Sequence, residues 1–165
     1  MDFDVVMFVS RWLHILAAVT AAGGAIFMKI ALHPASETLA EEPRKALREG
    51  VRSRWSKVVM IAITVLLATG IFNFLKINSA FVLKGTPYHA IFGVKFLLAM
   101  GVFALASILV GRSALAQKLR ADAGKWLTIL VTLMVVLIGL SSALKTLPHK
   151  EKPVAGTPSQ PAATP

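Results

Sequence analysis

Four apolar runs separated by short polar segments organise this chain. They cover about residues 5–32, 58–75, 88–110 and 126–144. Each is close to the ~20 residues that carry an α-helix across a bilayer core. Lipid offers no partner to backbone N–H and C=O groups, so such runs cross as helices, whose hydrogen bonds are internal. Pro34, Pro87 and Pro148 fall at the edges of the runs, where proline is tolerated or ends a helix. The pattern predicts an all-α fold, an integral membrane up-down four-helix bundle over residues 1–150. From Pro153 to Pro165 only Pro, Ala, Thr, Ser, Gly, Gln and Val occur. Such a segment cannot bury a core, and residues 151–165 are expected to form a disordered tail.

The polar segment before the second run also reads as helix. Pro43 suits a first helical turn, and Glu41 and Glu42 favour a helix N-terminus. Residues 43–55 are therefore expected to continue into the second membrane helix as a cytoplasmic extension, despite Gly50. Trp55 and Trp126 would mark one aromatic belt, and Trp12 and Tyr88 the other.

Composition agrees with the membrane class. The chain is 56% hydrophobic and only 16% charged, with a mean hydropathy of +0.70, whereas soluble domains carry about a quarter charged residues. The net charge of +10 does not point to nucleic acid, because the basic residues gather in the connections. Ten lie in the segments Pro34–Lys57 and Arg112–Lys125, against six on the other side. By the positive-inside rule both basic connections face the cytoplasm and both termini lie outside, as in a bacterial-type inner membrane. The start Met1-Asp2-Phe3-Asp4 is acidic, unlike a cleavable signal, so the first helix is expected to be retained. The lipid bilayer is then the main partner, and a second copy or a redox partner protein is the candidate protein partner. There are no cysteines, which removes disulfides and thiolate metal sites.

Candidate chemistry begins at His14, followed by a charge-free stretch to Met28. An ionisable ring in a membrane helix is costly without a partner, which makes it a functional candidate. His14 lies two residues past Trp12, and His89 one past Tyr88. If the belts set depth, the two rings share a level on helices that face each other across the bundle. They could hold a haem iron or a copper ion; a helix beginning at Val5 would put His14 deeper. Arg11 lies one turn from His14, and Lys95 seven residues past Tyr88, where either could meet an anionic ligand group. The small residues Ala18, Ala21, Gly24 and Ala25 below His14 either pack helices closely or leave room for a flat ligand. No Asp or Glu falls inside a membrane run, which argues against a carboxylate-based proton transporter. The alternative for His14 is a hydrogen bond to a neighbouring helix.

The stretch Arg11-Trp12-Leu13-His14-Ile15-Leu16-Ala17-Ala18-Val19, with Gly23-Gly24, resembles the first helix of the copper-resistance D (CopD-like) membrane family. It is also similar to the HemJ-type protoporphyrinogen oxidases, which share Leu-His, Val-Thr (Val19-Thr20 here) and a following glycine (Gly24). Arg52-Ser53-Arg54-Trp55, Thr69-Gly70 with Asn73, Tyr88-His89 and Gly93-Val94-Lys95 extend the likeness over about residues 8–112. The HemJ-type resemblance implies a b-type haem and importance of His14 and Lys95. Met28-Lys29-Ile30 stands where those enzymes have Pro-Arg-Leu, so porphyrinogen oxidation is not carried over. The CopD-like resemblance implies copper handling.

The expectation is a haem b protein with an electron-transfer or oxidoreductase role on the outer side. His14 would be the axial ligand and His89 the second, with Lys95 and Arg11 toward the propionates. Copper handling through His14 and His89 is the rival reading, and a cofactor-free structural subunit the third.

Overall fold

A computed structural model describes residues 4–82, 88–146 and 150–151, with the side chains of 77–82, 88–91, 143–146 and 150–151 left out of the description. The fold is an all-α membrane helical bundle. Its elements are α1 (Val5–Phe27), a π-helical turn (Met28–Leu32), α2 (His33–Glu37), α3 (Glu41–Ala80), α4 (Tyr88–Val110), α5 (Ala114–Ala121) and α6 (Ala123–Thr146). A two-residue antiparallel pairing joins Phe81–Val82 to Lys150–Glu151. Four helical stretches are long and apolar enough to cross a membrane: Val5–Glu37, Glu41–Lys76, Phe92–Val110 and Ala123–Ser142. The expected tail beyond Glu151 lies outside the described residues.

Helix α1 packs on α3 and α6, and α4 packs on the same two, so α1 and α4 stand on one diagonal of a four-helix ring. Large side chains such as Ile61, Leu97 and Ile30 turn outward, each more than three-fifths exposed. In lipid such exposure carries no penalty, and apolar burial gives helices no reason to associate. Close packing must serve instead. The fully apolar core is built from Ala25, Val59, Val102, Ala106 and Leu130, with Trp55 packed against it. Gly24 makes the closest approach: a Cβ there would stand 2.0 Å from Trp55 Cη2. Trp55 is therefore turned into the bundle against α1, rather than outward in a belt. The small face expected either to pack or to leave room is, at Gly24 and Ala25, packed.

Two helix limits differ from the sequence expectation. The first apolar run does not stop at residue 32. Its helix passes through the π turn, in which the His33 N–H reaches Met28 O, and continues to Glu37 with Pro34 in the first turn of α2. Proline lacks an N–H and its ring crowds the preceding turn, and a wider turn placed just before it relieves that crowding. The segment after α4, read only as a basic connection, holds the short helix α5, capped by Ser113 Oγ accepting from the Ala116 N–H. The extension before the second span formed as expected, since α3 is one continuous helix from Glu41.

Basic residues close the end of the bundle where α1 gives way to α2. Arg52 Nη1 donates to Val110 O at 3.1 Å, and Arg120 Nη1 donates to Leu109 O at 3.2 Å and Gly111 O at 2.6 Å. Two arginines thus serve the last carbonyls of α4, which its own turns leave unpaired and where the helix dipole favours positive charge. Lys29 Nζ, in the π turn, donates to Gly124 O at 3.0 Å and ties that turn to α6. The opposite end is the one that carries His14.

Candidate functional site

Asp4 fixes the start of α1. Its carboxylate accepts from the Met7 N–H at 2.9 Å as an N-cap, and Lys76 Nζ lies 3.4 Å from its second oxygen. The Met7 amide first, and then Lys76, hold this carboxyl below its ordinary value. The cap sets where α1 begins and the ion pair sets the level of α1 against the far end of α3.

Nearly three turns inward, half-buried His14 finds a partner on α3. Its Nδ1 is 2.8 Å from Thr69 Oγ1, and the Thr69 hydroxyl donates to Val65 O at 2.5 Å. A hydroxyl has one proton to give. With that proton on Val65, the Thr69 oxygen accepts, and His14 Nδ1 is the donor. In the neutral ring this tautomer leaves the lone pair on Nε2. Gly70 completes the seat: a Cβ there would come 3.3 Å from His14 Cε1, so the glycine lets the imidazole lie against the backbone of α3.

Helix register changes the expected depth of the second histidine. Phe74 on α3 stacks on Phe92 of α4, with ring centroids 3.9 Å apart. Thr69, level with His14, is five residues deeper than Phe74, and five residues deeper on antiparallel α4 is Leu97. Lys95 is therefore within about one turn of the His14 level. His89 is eight residues outward of it, roughly 12 Å at ~1.5 Å per residue. α1 begins at Val5, the case foreseen to place His14 deeper, and carries His14 nine residues into the helix. The side chain of His89 itself lies outside the described residues.

Lys95 is half-buried on α4, within about one turn of the His14 level. Arg11 is exposed on the outside of α1, beside Trp12, whose ring lies 6.1 Å from that of Phe8. Two groups absent from the candidate ligands also belong here. Ser10 lies one turn before His14 on α1, and Asn73 one turn after Thr69 on α3. Ser10 Oγ and Asn73 Oδ1 are both buried, with no hydrogen-bond partner among the described residues. From the end of the bundle inward, α1 and α3 therefore face each other through Asp4–Lys76, then Ser10 and Asn73, then His14–Thr69. The four-residue spacing Ser10/His14 and Thr69/Asn73 carries this signal in the sequence.

Among the described residues no three His, Cys, Asp or Glu side chains converge as a metal cluster. At this end of the bundle the described side chains offer one imidazole, that of His14. Comparison with protein-family models, curated proteins and solved structures returned no match.

Proposed function

We propose that this multi-pass membrane protein binds haem b, with His14 Nε2 as the axial ligand, and serves one-electron transfer. The observation that supports this is the hydrogen bond from His14 Nδ1 to Thr69. A second partner on Nδ1 fixes the tautomer, holds the ring plane and raises the basicity of the other nitrogen, as it does for metal-bound histidines generally. Lys95 supplies a positive charge on the diagonal helix, suited to a propionate, and the resemblance of the first and third helices to the HemJ-type family points to the same two residues. His89, offset by the register, is not needed as a second ligand in this reading. The excess of basic residues on the Arg52 and Arg120 side supports a cytoplasmic placement of that end, with the His14 end and both termini outside.

A second reading rests on the same bond. His14 donating to Thr69 is also what a purely structural helix-to-helix contact looks like, and the close packing at Gly24 and Ala25 favours it. Absorption spectroscopy separates the two. Full-length protein, purified in detergent from cells supplied with ample haem, should show a Soret band and reducible α and β bands. His14→Ala should lose them and Lys95→Gln should weaken haem retention. A colourless preparation would overturn the haem reading in favour of the structural one.

A further inference from the structure

A second concavity, of about 290 Å³, lies at the opposite end of the bundle, between the α2–α3 hairpin and the α5–α6 junction. His33, Arg48, Arg120 and Lys125 line it, with the first backbone residues of α6, Ala123 and Gly124. The walls come from segments far apart in sequence, so no single helix end makes the site.

Charge at this place is not balanced by the chain. Glu37 also lines the concavity, but it already faces two cations, Arg44 at 3.0 Å and Arg48. Asp122 is the other acidic lining residue. Against them stand Arg120, Lys125 and, just behind Gly124, Lys29. None of these three has a carboxylate within ion-pair distance among the described residues. Arg120 uses its Nη1 on the carbonyls of Leu109 and Gly111, which leaves Nε and Nη2 to face a ligand, and Glu49 acts on its charge only from beyond ion-pair distance. The Ala123 and Gly124 amides open α6, a helix of 24 residues, and add positive potential from the same side, while the next two, of Lys125 and Trp126, donate to Asp122 O.

Gly124 keeps the concavity open. A Cβ at this position would stand 2.9 Å from His33 Nε2, so any larger residue would push the ring out of its place in the wall. Depth points to the same kind of ligand. Lys125 immediately precedes Trp126, where the apolar run of α6 begins, so the concavity lies at the level of lipid headgroups.

We infer that the concavity between the α2–α3 hairpin and the α5–α6 junction binds a phosphate-bearing anion through Arg120, Lys125 and the first amides of α6. Two sources share that chemistry: the headgroup of an anionic phospholipid and free inorganic phosphate. The site is independent of the haem reading, since it lies at the other end of the bundle.

Native mass spectrometry of the full-length protein in detergent tests this, with phosphatidylglycerol, phosphatidylcholine and inorganic phosphate titrated separately. Lys125 is exposed, so Lys125→Gln leaves the packing intact. It should weaken binding about fivefold, the loss that one basic residue near a headgroup gives. Lys118→Gln, which removes the same charge from α5 outside the concavity, should leave binding unchanged. Gly124→Ala, which alters no charge, should also weaken it. Retention of phosphatidylglycerol over phosphatidylcholine with this variant pattern identifies the lipid headgroup as the source. Binding of inorganic phosphate alone with the same pattern identifies the free anion. Equal loss in Lys125→Gln and Lys118→Gln, or no preference for either anion over phosphatidylcholine, would overturn the proposal.

Discussion

Removing the Thr69 hydroxyl is the most direct perturbation of the α1–α3 contact. Thr69→Val keeps the branched shape but deprives His14 Nδ1 of its 2.8 Å acceptor. The lost bond to Val65 O matters less, because that carbonyl remains within the hydrogen-bonded ladder of α3. Interhelical hydrogen bonds between membrane helices average about 0.6 kcal/mol and reach about 1.7. His14 belongs toward the upper part of that range. The ring is half-buried, and the Thr69 oxygen is polarised by donating onward to Val65, which strengthens the bond it accepts. A coupling energy of about 1 kcal/mol is therefore expected from a double-mutant cycle of His14→Ala and Thr69→Val, measured by reversible unfolding in mixed micelles. Thr69→Ser should retain most of it, since the hydroxyl remains. ¹⁵N spectra of histidine-labelled protein should show the proton on Nδ1 in the native chain. The reasoning fails if the cycle gives additive energies, or if Thr69→Ser loses as much as Thr69→Val.

Three further outcomes follow from the packing and the rim. Gly24→Ala should destabilise the bundle by about 1–3 kcal/mol, because Trp55 must leave the place its ring occupies; Gly70→Ala, facing only a 3.3 Å approach to His14, should cost less, and the reverse order in thermal unfolding would contradict the packing. The Asp4 carboxyl is held below its ordinary value by the Met7 amide and Lys76. Its contribution is therefore complete above the ordinary carboxylate range and lost as pH falls through the lowered value. Asp4→Asn, which preserves an N-cap, should flatten that pH dependence in amide exchange of the first turn of α1. Ser10→Ala removes a buried hydroxyl that lacks a partner among the described residues, so it should be neutral or stabilising by up to about 1 kcal/mol; a clear loss of stability in micelles would mean that Ser10 serves a polar group in the folded protein.

Helix existence was legible from hydropathy alone, because the bilayer leaves an apolar run one option. The third span, expected over 88–110, coincides with α4, and Glu41, Glu42 and Pro43 announced the extension of α3. Other limits were not legible. The apolar run ends near Leu32, yet the helix continues, since a π turn lets the backbone pass Pro34 and hydropathy carries no record of hydrogen-bond register. Depth within the bundle is a related case. Aromatic residues were read as belts, but Trp55 fills the space over Gly24, a tertiary fact that no local pattern contains. His14 and Lys95 were found as ionisable residues in apolar runs. Thr69 was noticed only beside Gly70 in a family-like dipeptide, because a hydroxyl in a membrane helix usually satisfies itself on the preceding turn, as Thr69 also does on Val65.

The two halves of the bundle solve the problem of association differently, and that difference bears on function. Toward the arginine end all four spans contribute to one apolar core, in which Ala25, Val59, Val102, Ala106 and Leu130 are each under a tenth exposed. Arginines then close the end of α4. Toward the His14 end the buried residues on α1 are Ser10 and Ala17, and Ser10 has no hydrogen-bond partner among the described residues. Structural economy alone would fill that half with small apolar residues, since lipid gives helices nothing for burying polar groups and a buried unpaired one costs about 1–3 kcal/mol. A fold that already has a tight apolar half does not require a polar one for cohesion. On the haem reading, the histidine bonded to Thr69, the lysine near its level and the two polar atoms without a partner among the described residues are what a ligand in that half would use. This argument makes its own demand on Ser10 and Asn73. If the His14 half is a ligand site, Asn73→Leu should improve the stability of protein prepared without haem and reduce haem retention in protein prepared with it. Improvement under both conditions would assign the polar half to structure alone.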